Sequence, residues 1–361
     1  MQWLWIALPP LAAIGAALLV GAGLMVVAGA SPIVAYGALF RESLTTYYGF
    51  ANTLTKMTPL LLVSLGVLVG LRAGQFNLGG EGQIYMGGLG SLIVGLNFQG
   101  LPMWIHLPLA LLGGMLFGGA WAAIAGYLKV ARGLNEVLTT LLLNYIAQHF
   151  VSYMVNGPFK EPGAPSPFSP LVAESAFLPG ILPKTQAHAG IFLGLAIALI
   201  LTVVLSSTPF GYQVDMVGQN PIAARYANIP VGKTIVMVMA LSGGLAGLAG
   251  SCEVLGLKHR LFENFSPGYG FDAIAIALLS RGNPIAVILT ALFFGTLRSG
   301  ANVMQRSANV PFTVIYAIQG LTVLFIAISL ALLEFRNKRS PVVEAASLTP
   351  PNAGTPASVP D

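Results

Sequence analysis

Residues 107–128 read LPLALLGGMLFGGAWAAIAGYL, a stretch that contains no charged side chain. A helix needs about 20 predominantly apolar residues to cross the hydrocarbon core of a bilayer, so this stretch predicts a transmembrane helix. Its many glycines and alanines are typical of membrane helices that pack closely through small residues. The stretch therefore indicates an integral membrane protein, and similar apolar stretches recur on both sides of it.

The composition of the whole chain agrees with this interpretation. Of its 361 residues, 55% are hydrophobic and only 8% are charged, whereas about a quarter of the residues in soluble domains are charged. This excludes a soluble enzyme, a nucleic-acid-binding protein and a disulfide-stabilised scaffold. The net charge of +5 is typical of basic cytoplasmic loops in membrane proteins and does not indicate a polyanionic partner.

We predict an all-α, polytopic membrane helical bundle with about eight to ten transmembrane spans. Several apolar stretches are too short to cross a bilayer alone, so some spans are expected to be short or broken. The first stretch lacks the basic residues that open a signal peptide, and we expect it to be retained. The candidate spans are residues 4–28, 59–71, 83–98, 107–128, 134–155, 191–206, 234–255, 271–279, 285–297 and 311–333.

The chain divides into a transmembrane domain, residues 1–339, and a tail, residues 340–361. The tail is rich in Pro, Ala and Ser and has too little apolar surface to fold, so it is predicted to be disordered and cytoplasmic. Residues 157–184 contain seven prolines and are expected to form an ordered external loop. A slight excess of basic residues in the short loops places residues 207–233 and the N-terminus in the cytoplasm.

No catalytic or metal-binding pattern is recognisable in the sequence. Residues 227–234, ANIPVGKT, resemble a phosphate-binding loop. However, no strand precedes them, and Pro230 removes one of the backbone donors that a phosphate needs. We therefore expect the protein not to be an enzyme and to hold neither a metal nor a nucleotide of its own.

Carboxylates close to the predicted spans are stronger functional candidates, because ionisable groups in a membrane are costly. A proton- or sodium-coupled carrier would use such residues. Since all of them lie near span ends, where water reaches, capping a helix or pairing with Arg72 or Arg132 is an equally good explanation. The four carboxylates are Glu81, Glu136, Glu253 and Asp272.

Residues 74–83, GQFNLGGEGQ, form the most unusual segment because they are polar and glycine-rich yet lie between two apolar stretches. Such a backbone at membrane depth must be lined by protein or by a water-filled cavity. An ordinary tight loop between two helices is the alternative.

The second distinctive segment is the polar loop of residues 207–233. Within it, Asn220 is a natural N-cap and Pro221 suits the first position of a short helix. We expect this helix to lie in a groove of another protein, with the small side chains of Ala223 and Ala224 facing that partner. A helix lying on lipid headgroups is the alternative.

Four motifs, in this order along the chain, resemble those of the permease subunits of bacterial ABC importers for nucleosides. This family is related to the simple-sugar and branched-chain amino-acid permeases. The motifs are FNLGGEGQ at 76–83, GLNEVLTT at 133–140 followed by LNYIA at 143–147, GQNPIAARY at 218–226, and RGNP at 281–284 followed by Gly295.

The resemblance implies roles for two sets of residues. The first set would couple the permease to an ATPase: Gly218, Gln219, Asn220, Pro221, Ala223, Ala224, Arg225 and Tyr226. The second set would line the pathway or support the structure: Phe76, Asn77, Gly79, Glu81, Gly82, Gln83, Asn135, Glu136 and Asn144.

The resemblance also implies partners and a location. ATP would be bound by a cytoplasmic ATP-binding subunit, so this chain would carry no cofactor. A second, related permease would complete the pathway, and an extracytoplasmic binding protein would deliver the nucleoside. The chain would be a multi-pass protein of the bacterial inner membrane. The alternatives are a simple-sugar permease and, from a different class, a stand-alone ion-coupled carrier.

Overall fold

The computed structural model describes residues 2–311 and, further on, residues 313, 314, 316–318, 320–322, 324, 325, 328 and 329. Up to residue 308 the chain forms twelve α-helices. Two isolated bridges are the only β-type pairings in this part of the chain. The helices are α1 (Gln2–Val27), α2 (Pro32–Thr45), α3 (Tyr47–Arg72), α4 (Gly80–Asn97), α5 (Met103–Arg132), α6 (Glu136–Asn156), α7 (Gly190–Ser207), α8 (Pro209–Gln219), α9 (Pro221–Tyr226), α10 (Val231–Cys252), α11 (Tyr269–Leu279) and α12 (Pro284–Ala308).

The predicted all-α membrane bundle is therefore confirmed. Among the described residues, five helices are long and apolar enough to cross a membrane: α3, α5, α7, α12, and α10 together with a π-helical extension to Lys258. The residues described between 313 and 329, inside the last predicted span, are helical. The predicted tail, residues 340–361, lies outside the described residues.

Three helices differ from the sequence prediction. α3 begins at Tyr47 instead of residue 59, and neither α2 nor α8 was predicted. Threonines and a lysine lower the hydropathy of the first half of α3, but its hydroxyls bond to carbonyls one turn back. Thr55 Oγ1 donates to the Ala51 carbonyl and Thr58 Oγ1 to the Leu54 carbonyl, each at 2.9 Å. A satisfied hydroxyl is tolerated inside a helical bundle.

The centre of the bundle is formed by α4, α5 and α10, which approach one another through glycines. Gly87 of α4 faces Gly247 of α10 so closely that a Cβ on Gly87 would overlap the Gly247 backbone, and a Cβ on Gly247 would overlap the Gly114 carbonyl of α5. Gly118 of α5 meets Gly243 and Gly247 in the same way. This is the small-residue packing that the sequence predicts for membrane helices.

The bundle has two distinct ends, which we name by their contents. The loop end carries residues 157–189 and 259–268, and the loop of residues 157–184 is ordered there. Its backbone amide at Ala173 donates to Gly95 at the end of α4 (3.0 Å), and Leu178 donates to Leu255 beyond α10 (3.0 Å). The hydroxyl of Tyr47, at the start of α3, donates to the Pro183 carbonyl (3.0 Å).

The α9 end carries α8, α9 and the last turn of α3. Gly218 of α8 packs directly on the Arg72 carbonyl, and Gly282, between α11 and α12, would place a Cβ 3.7 Å from Arg72 Cγ. Residues 164 and 227, in the two predicted loops, therefore lie at opposite ends of the bundle.

Two helices begin inside the bundle. Gly80, the first residue of α4, lies beside Val63 of α3 and Gly270 of α11. Val63 is about 14 Å from the end of α3 at Arg72, at 1.5 Å per residue. α11 starts at the same depth and has only 11 residues, about half the thickness of a hydrocarbon core. The predicted broken spans are thus present.

Candidate functional site

The side chain of Asn77 is the centre of a buried network that joins three parts of the fold. Its Nδ2 donates to Gln83 Oε1 (2.9 Å) and to Ser242 Oγ of α10 (2.8 Å). Its Oδ1 accepts from the Gly79 amide and from Gln83 Nε2, both at 2.9 Å. We call this set, Asn77, Gln83, Ser242 and the Gly79 amide, the Asn77 network. It holds the segment before α4 against α10.

Glu81 caps the N-terminus of α11. Its two carboxylate oxygens accept from the backbone amides of Gly268 (3.1 Å) and Gly270 (2.8 Å), and the side chain is 2% exposed. An anion at this position complements the unpaired amides and the positive end of the helix dipole. Of the two explanations considered for Glu81, the structure supports helix capping. Water does not reach it, contrary to the sequence-based expectation.

Asn144 of α6 makes a third connection to the same segment. Its Oδ1 accepts from the Gly82 amide and its Nδ2 donates to the Leu78 carbonyl, both at 2.8 Å. A Cβ at Gly82 would lie 2.8 Å from Asn144 Cα, so only glycine allows this approach. The segment 74–83 is consequently lined by protein, and its polar side chains hold helices together. Phe76 differs from them because it is 48% exposed.

Asn135 and Glu136 lie at the start of α6. Asn135 Oδ1 accepts from the amides of Val137 (2.9 Å) and Leu138 (3.3 Å), which makes it the N-cap. Glu136 pairs with Lys129 at 2.7 Å. The expected pairing with Arg132 is therefore wrong. Lys129 lies in the last turn of α5 and reaches the first turn of α6 directly.

Arg72 pairs with a residue that the sequence analysis did not consider. Its Nε donates to Asp215 Oδ1 of α8 at 2.8 Å. Together with the close contact between Gly218 and the Arg72 carbonyl, this ion pair fixes α8 to the end of α3.

α9 has the predicted cap but presents a different face from the expected one. Asn220 Oδ1 accepts from the amides of Ile222 (3.0 Å) and Ala223 (3.1 Å). Ala224, however, is fully buried in a cluster with Val217, Ile229 and Val231 of the same chain.

The expectation that Ala224 faces a partner is therefore wrong: the following turn folds back over it. The exposed side chains of α9 are Ile222 (67%) and Tyr226 (89%), together with Arg225. Beside them, a groove of about 360 Å³ between α3, α5 and α9 is lined in part by Lys129 and Arg225.

Comparison with known proteins gives the family. Residues 49–334 match the model of the branched-chain amino acid transport system permease component. The chain belongs to this permease family. The family predicted from the four motifs is thereby confirmed, and the chain is a multi-pass membrane permease subunit of the ABC-transporter type.

Three relatives illustrate the range of the family. The chain is 36% identical to the glucose ABC transporter permease protein TsgB13 of Haloferax volcanii over 89% of this chain and 87% of the relative. It is 36% identical to the guanosine permease protein NupP of Bacillus subtilis (90% and 94% covered). It is 30% identical to the nucleoside permease protein NupB of Lactococcus lactis (95% and 96% covered).

The permease contains further polar residues that sequence reasoning missed or placed differently. Asp272 pairs with Arg298 of α12 at 2.8 Å, and Arg298 also lies over the Tyr269 ring, 4.7 Å from its centroid. Glu253 is 5% exposed, so it is not at a wet span end as expected. Lys56 and Tyr269 carried no sequence signal. Within the described residues, no group of three His, Cys, Asp or Glu side chains could hold a metal ion.

Proposed function

We propose that this permease forms the translocation pathway of an ATP-driven importer for nucleosides. The observation that carries the proposal is the similarity to the guanosine permease of Bacillus subtilis, which extends over 90% of this chain and 94% of the relative. Since both chains align nearly end to end, the similarity includes the Asn77 network, α9 and the helices between them. The nucleoside permease of Lactococcus lactis supports the same substrate class.

In this proposal, the energy comes from another chain. α8 and α9 lie at the cytoplasmic surface, and an ATP-binding subunit binds ATP and docks there. Ile222 and Tyr226 are its contact residues because they are large, apolar and exposed. The fixed connection from α8 to Arg72 would carry the movement of the ATPase into α3. No nucleotide or other cofactor is bound by this chain itself.

The remaining partners follow from the same proposal. A second, related permease pairs with this chain, and an extracytoplasmic binding protein releases the nucleoside at the loop end. The assembly resides in the bacterial inner membrane. The loop of residues 157–184 is well suited to receive the binding protein, because its backbone is tied to α4 and to the end of α10.

A simple-sugar substrate is the second candidate, and one observation favours it. The glucose permease of Haloferax volcanii is as similar to this chain, at 36% identity, as the guanosine permease is. Both substrate classes carry sugar hydroxyls. An uptake experiment in which nucleosides and free sugars compete therefore decides which class is transported. Uptake of radiolabelled guanosine and cytidine in a deletion strain should be restored by the wild-type genes and should resist excess glucose, ribose or xylose. If excess free sugar abolished the uptake of the labelled nucleosides and excess unlabelled nucleoside did not, the nucleoside assignment would be refuted.

The docking role of α9 can be tested with charged substitutions. Ile222→Glu should leave membrane insertion intact but abolish co-purification of the ATP-binding subunit, because the variant buries an unpaired carboxylate in the interface. Leu171→Glu, at an equally apolar and exposed position (52%) of the loop end, is the matched control and should keep the ATPase bound. Normal co-purification of the Ile222 variant would contradict the docking assignment.

A further inference from the structure

A cavity of about 280 Å³ opens at the loop end of the bundle. Its walls come from α3, from the π-helical turn Glu253–Lys258 that extends α10, and from residues 260–269. This volume is close to the lower end of the ~300–1,000 Å³ that small-molecule sites occupy. The cavity lies directly above the point where α4 and α11 begin. We call it the Glu253 cavity.

Glu253 is the most unusual residue of this cavity. It is 5% exposed, yet its Oε1 has no hydrogen-bond partner. Among the described residues, no Lys, Arg or His nitrogen lies within salt-bridge distance of its carboxylate. A buried carboxylate without a partner is costly. The fold therefore retains, in the wall of the cavity, a carboxylate whose Oε1 its own residues do not satisfy.

α3 and α11 contribute hydrogen-bond donors that complement the Glu253 carboxylate. Lys56 Nζ lies 3.5 Å from the Tyr269 hydroxyl, and both residues line the cavity. The Tyr269 ring is fixed from behind by Arg298, which is held in turn by Asp272 at 2.8 Å. A ligand in the cavity therefore meets a carboxylate and a cationic donor, and the buried Tyr269 holds that donor in position.

Aromatic rings complete the wall. Phe262 and Phe265 line the cavity, and the ring of Phe265 packs on Tyr85 of α4 with centroids 4.9 Å apart. Rings held this way offer a flat apolar surface to a planar heterocycle.

The other charged groups of the lining are Lys258 at the rim, Arg260, which pairs with Glu161 at 2.8 Å, and Glu263, which accepts from Ser152. Flat faces beside charges of both signs fit a neutral molecule with an aromatic base and a hydroxylated sugar better than they fit an inorganic ion.

From this geometry we infer that the Glu253 cavity binds the nucleoside within the membrane domain, an inference that rests on the proposed function. Glu253 accepts hydrogen bonds from the hydroxyl or ring N–H groups of the nucleoside. Lys56 donates to its oxygens, and Phe265 stacks on its base. The backbone bonds from Glu81 to the start of α11 keep the floor of the cavity in place.

The first test measures transport by the complete importer with Glu253→Gln. Glutamine keeps the shape of the side chain but removes the charge, and charge-assisted hydrogen bonds are about twice as strong as neutral ones. We expect the substrate concentration for half-maximal guanosine uptake to rise about tenfold, which corresponds to about 1.4 kcal/mol. The Glu253 variant should still co-purify with the ATP-binding subunit. Glu174→Gln, an exposed carboxylate of the same end outside the cavity, is the control and should transport normally.

The second test does not depend on transport rates. Lys258→Cys places a thiol at the exposed rim of the cavity, and the native Cys252 is fully buried. Guanosine should slow the reaction of this cysteine with a thiol reagent in the purified complex. The reactivity of a cysteine in place of Glu174 should be unaffected.

The outcomes separate this inference from the proposed function. Suppose that the wild-type importer transports guanosine, that Glu253→Gln leaves the half-maximal concentration unchanged, and that guanosine does not protect the cysteine at position 258. These results would overturn the inference about the cavity but not the proposed function. Wild-type transport of a free sugar instead of nucleosides would refute the proposed substrate. In that case, the same two variants, measured with that sugar, decide whether the cavity binds the sugar hydroxyls.

Discussion

The Asn77 network and the Glu253 cavity both place polar side chains inside the bundle, but only the network satisfies them. Each polar atom of the Asn77 side chain has two partners between 2.8 and 2.9 Å away. In the cavity, Glu253 Oε1 has none. The segment that looked most functional in the sequence is therefore mainly a structural joint, although its Gln75 Oε1 has no partner. The unsatisfied carboxylate lies about 170 residues further along, in a stretch without a recognisable motif.

This difference shows what a family motif can mean in a membrane protein. Buried polar groups that bond to one another specify how helices meet, and they leave little capacity for a ligand. A transported molecule needs groups that are held in place but not satisfied, because it must supply the missing partner and then leave. The following predictions test this contrast, beginning with the largest expected effect.

Gly87→Val should abolish folding. A Cβ at this position would overlap the backbone of Gly247, and side chains forced into a packed core cost about 1–3 kcal/mol or more. Size-exclusion chromatography of the solubilised protein should show little monodisperse material. Gly37→Val is the control, because no atom lies within 4 Å of a Cβ at that position. An equally well folded Gly87 variant would contradict the close packing of α4 on α10.

Asn77→Ala should destabilise the fold strongly. The change removes partners from Gln83, Ser242 and the Gly79 amide, and each buried group left unpaired costs about 1–3 kcal/mol. The thermal unfolding midpoint should fall clearly, and uptake should fall in proportion to the amount of folded protein. Phe76→Ala, next in the chain but 48% exposed, should hardly change the midpoint. If Asn77→Ala folded normally but failed to transport, the network would have a direct role in the pathway.

Glu81→Gln and Glu253→Gln should have opposite effects. The Glu81 variant weakens the cap of α11 and should lower stability by about 1–2 kcal/mol, while the half-maximal concentration for uptake rises much less than in Glu253→Gln. The Glu253 variant removes a buried, unpaired charge and should unfold at the same or a higher temperature while binding substrate more weakly. Thermal unfolding and uptake kinetics on the same preparations compare the two. A loss of stability in Glu253→Gln would indicate a structural carboxylate.

The pair between Lys129 and Glu136 should matter least. Its side chains are 26% and 13% exposed, and partly exposed ion pairs contribute about 1 kcal/mol or less. A double-mutant cycle with Lys129→Met and Glu136→Gln should give a coupling energy in that range from unfolding midpoints. A coupling energy several times larger would mean that this pair stabilises the fold as strongly as the Asn77 network.

Local features of the fold could be predicted because local residues determine them. Asn220 and Pro221 were expected at a helix start, and both lie there, since a cap involves only its own first turn. The start of α3 could not be predicted, because the bonds between its threonines and its own carbonyls conceal their polarity. The small side chain of Ala224 was correctly interpreted as a sign of close packing. The direction of this side chain was predicted wrongly, because the residues that cover it, Ile229 and Val231, follow a turn.

The sequence by itself determined that this chain is a membrane-embedded helical protein, because uncharged apolar stretches of bilayer length admit no other environment. It also determined the family, through motifs that are contiguous in the chain. Only the tertiary structure decided which carboxylates are satisfied. The partners of Glu81 are amides 187 and 189 residues away, and Glu253 is buried where no such partner arrives. Whether a buried carboxylate holds helices together or binds a ligand depends on long-range packing, which no local pattern specifies.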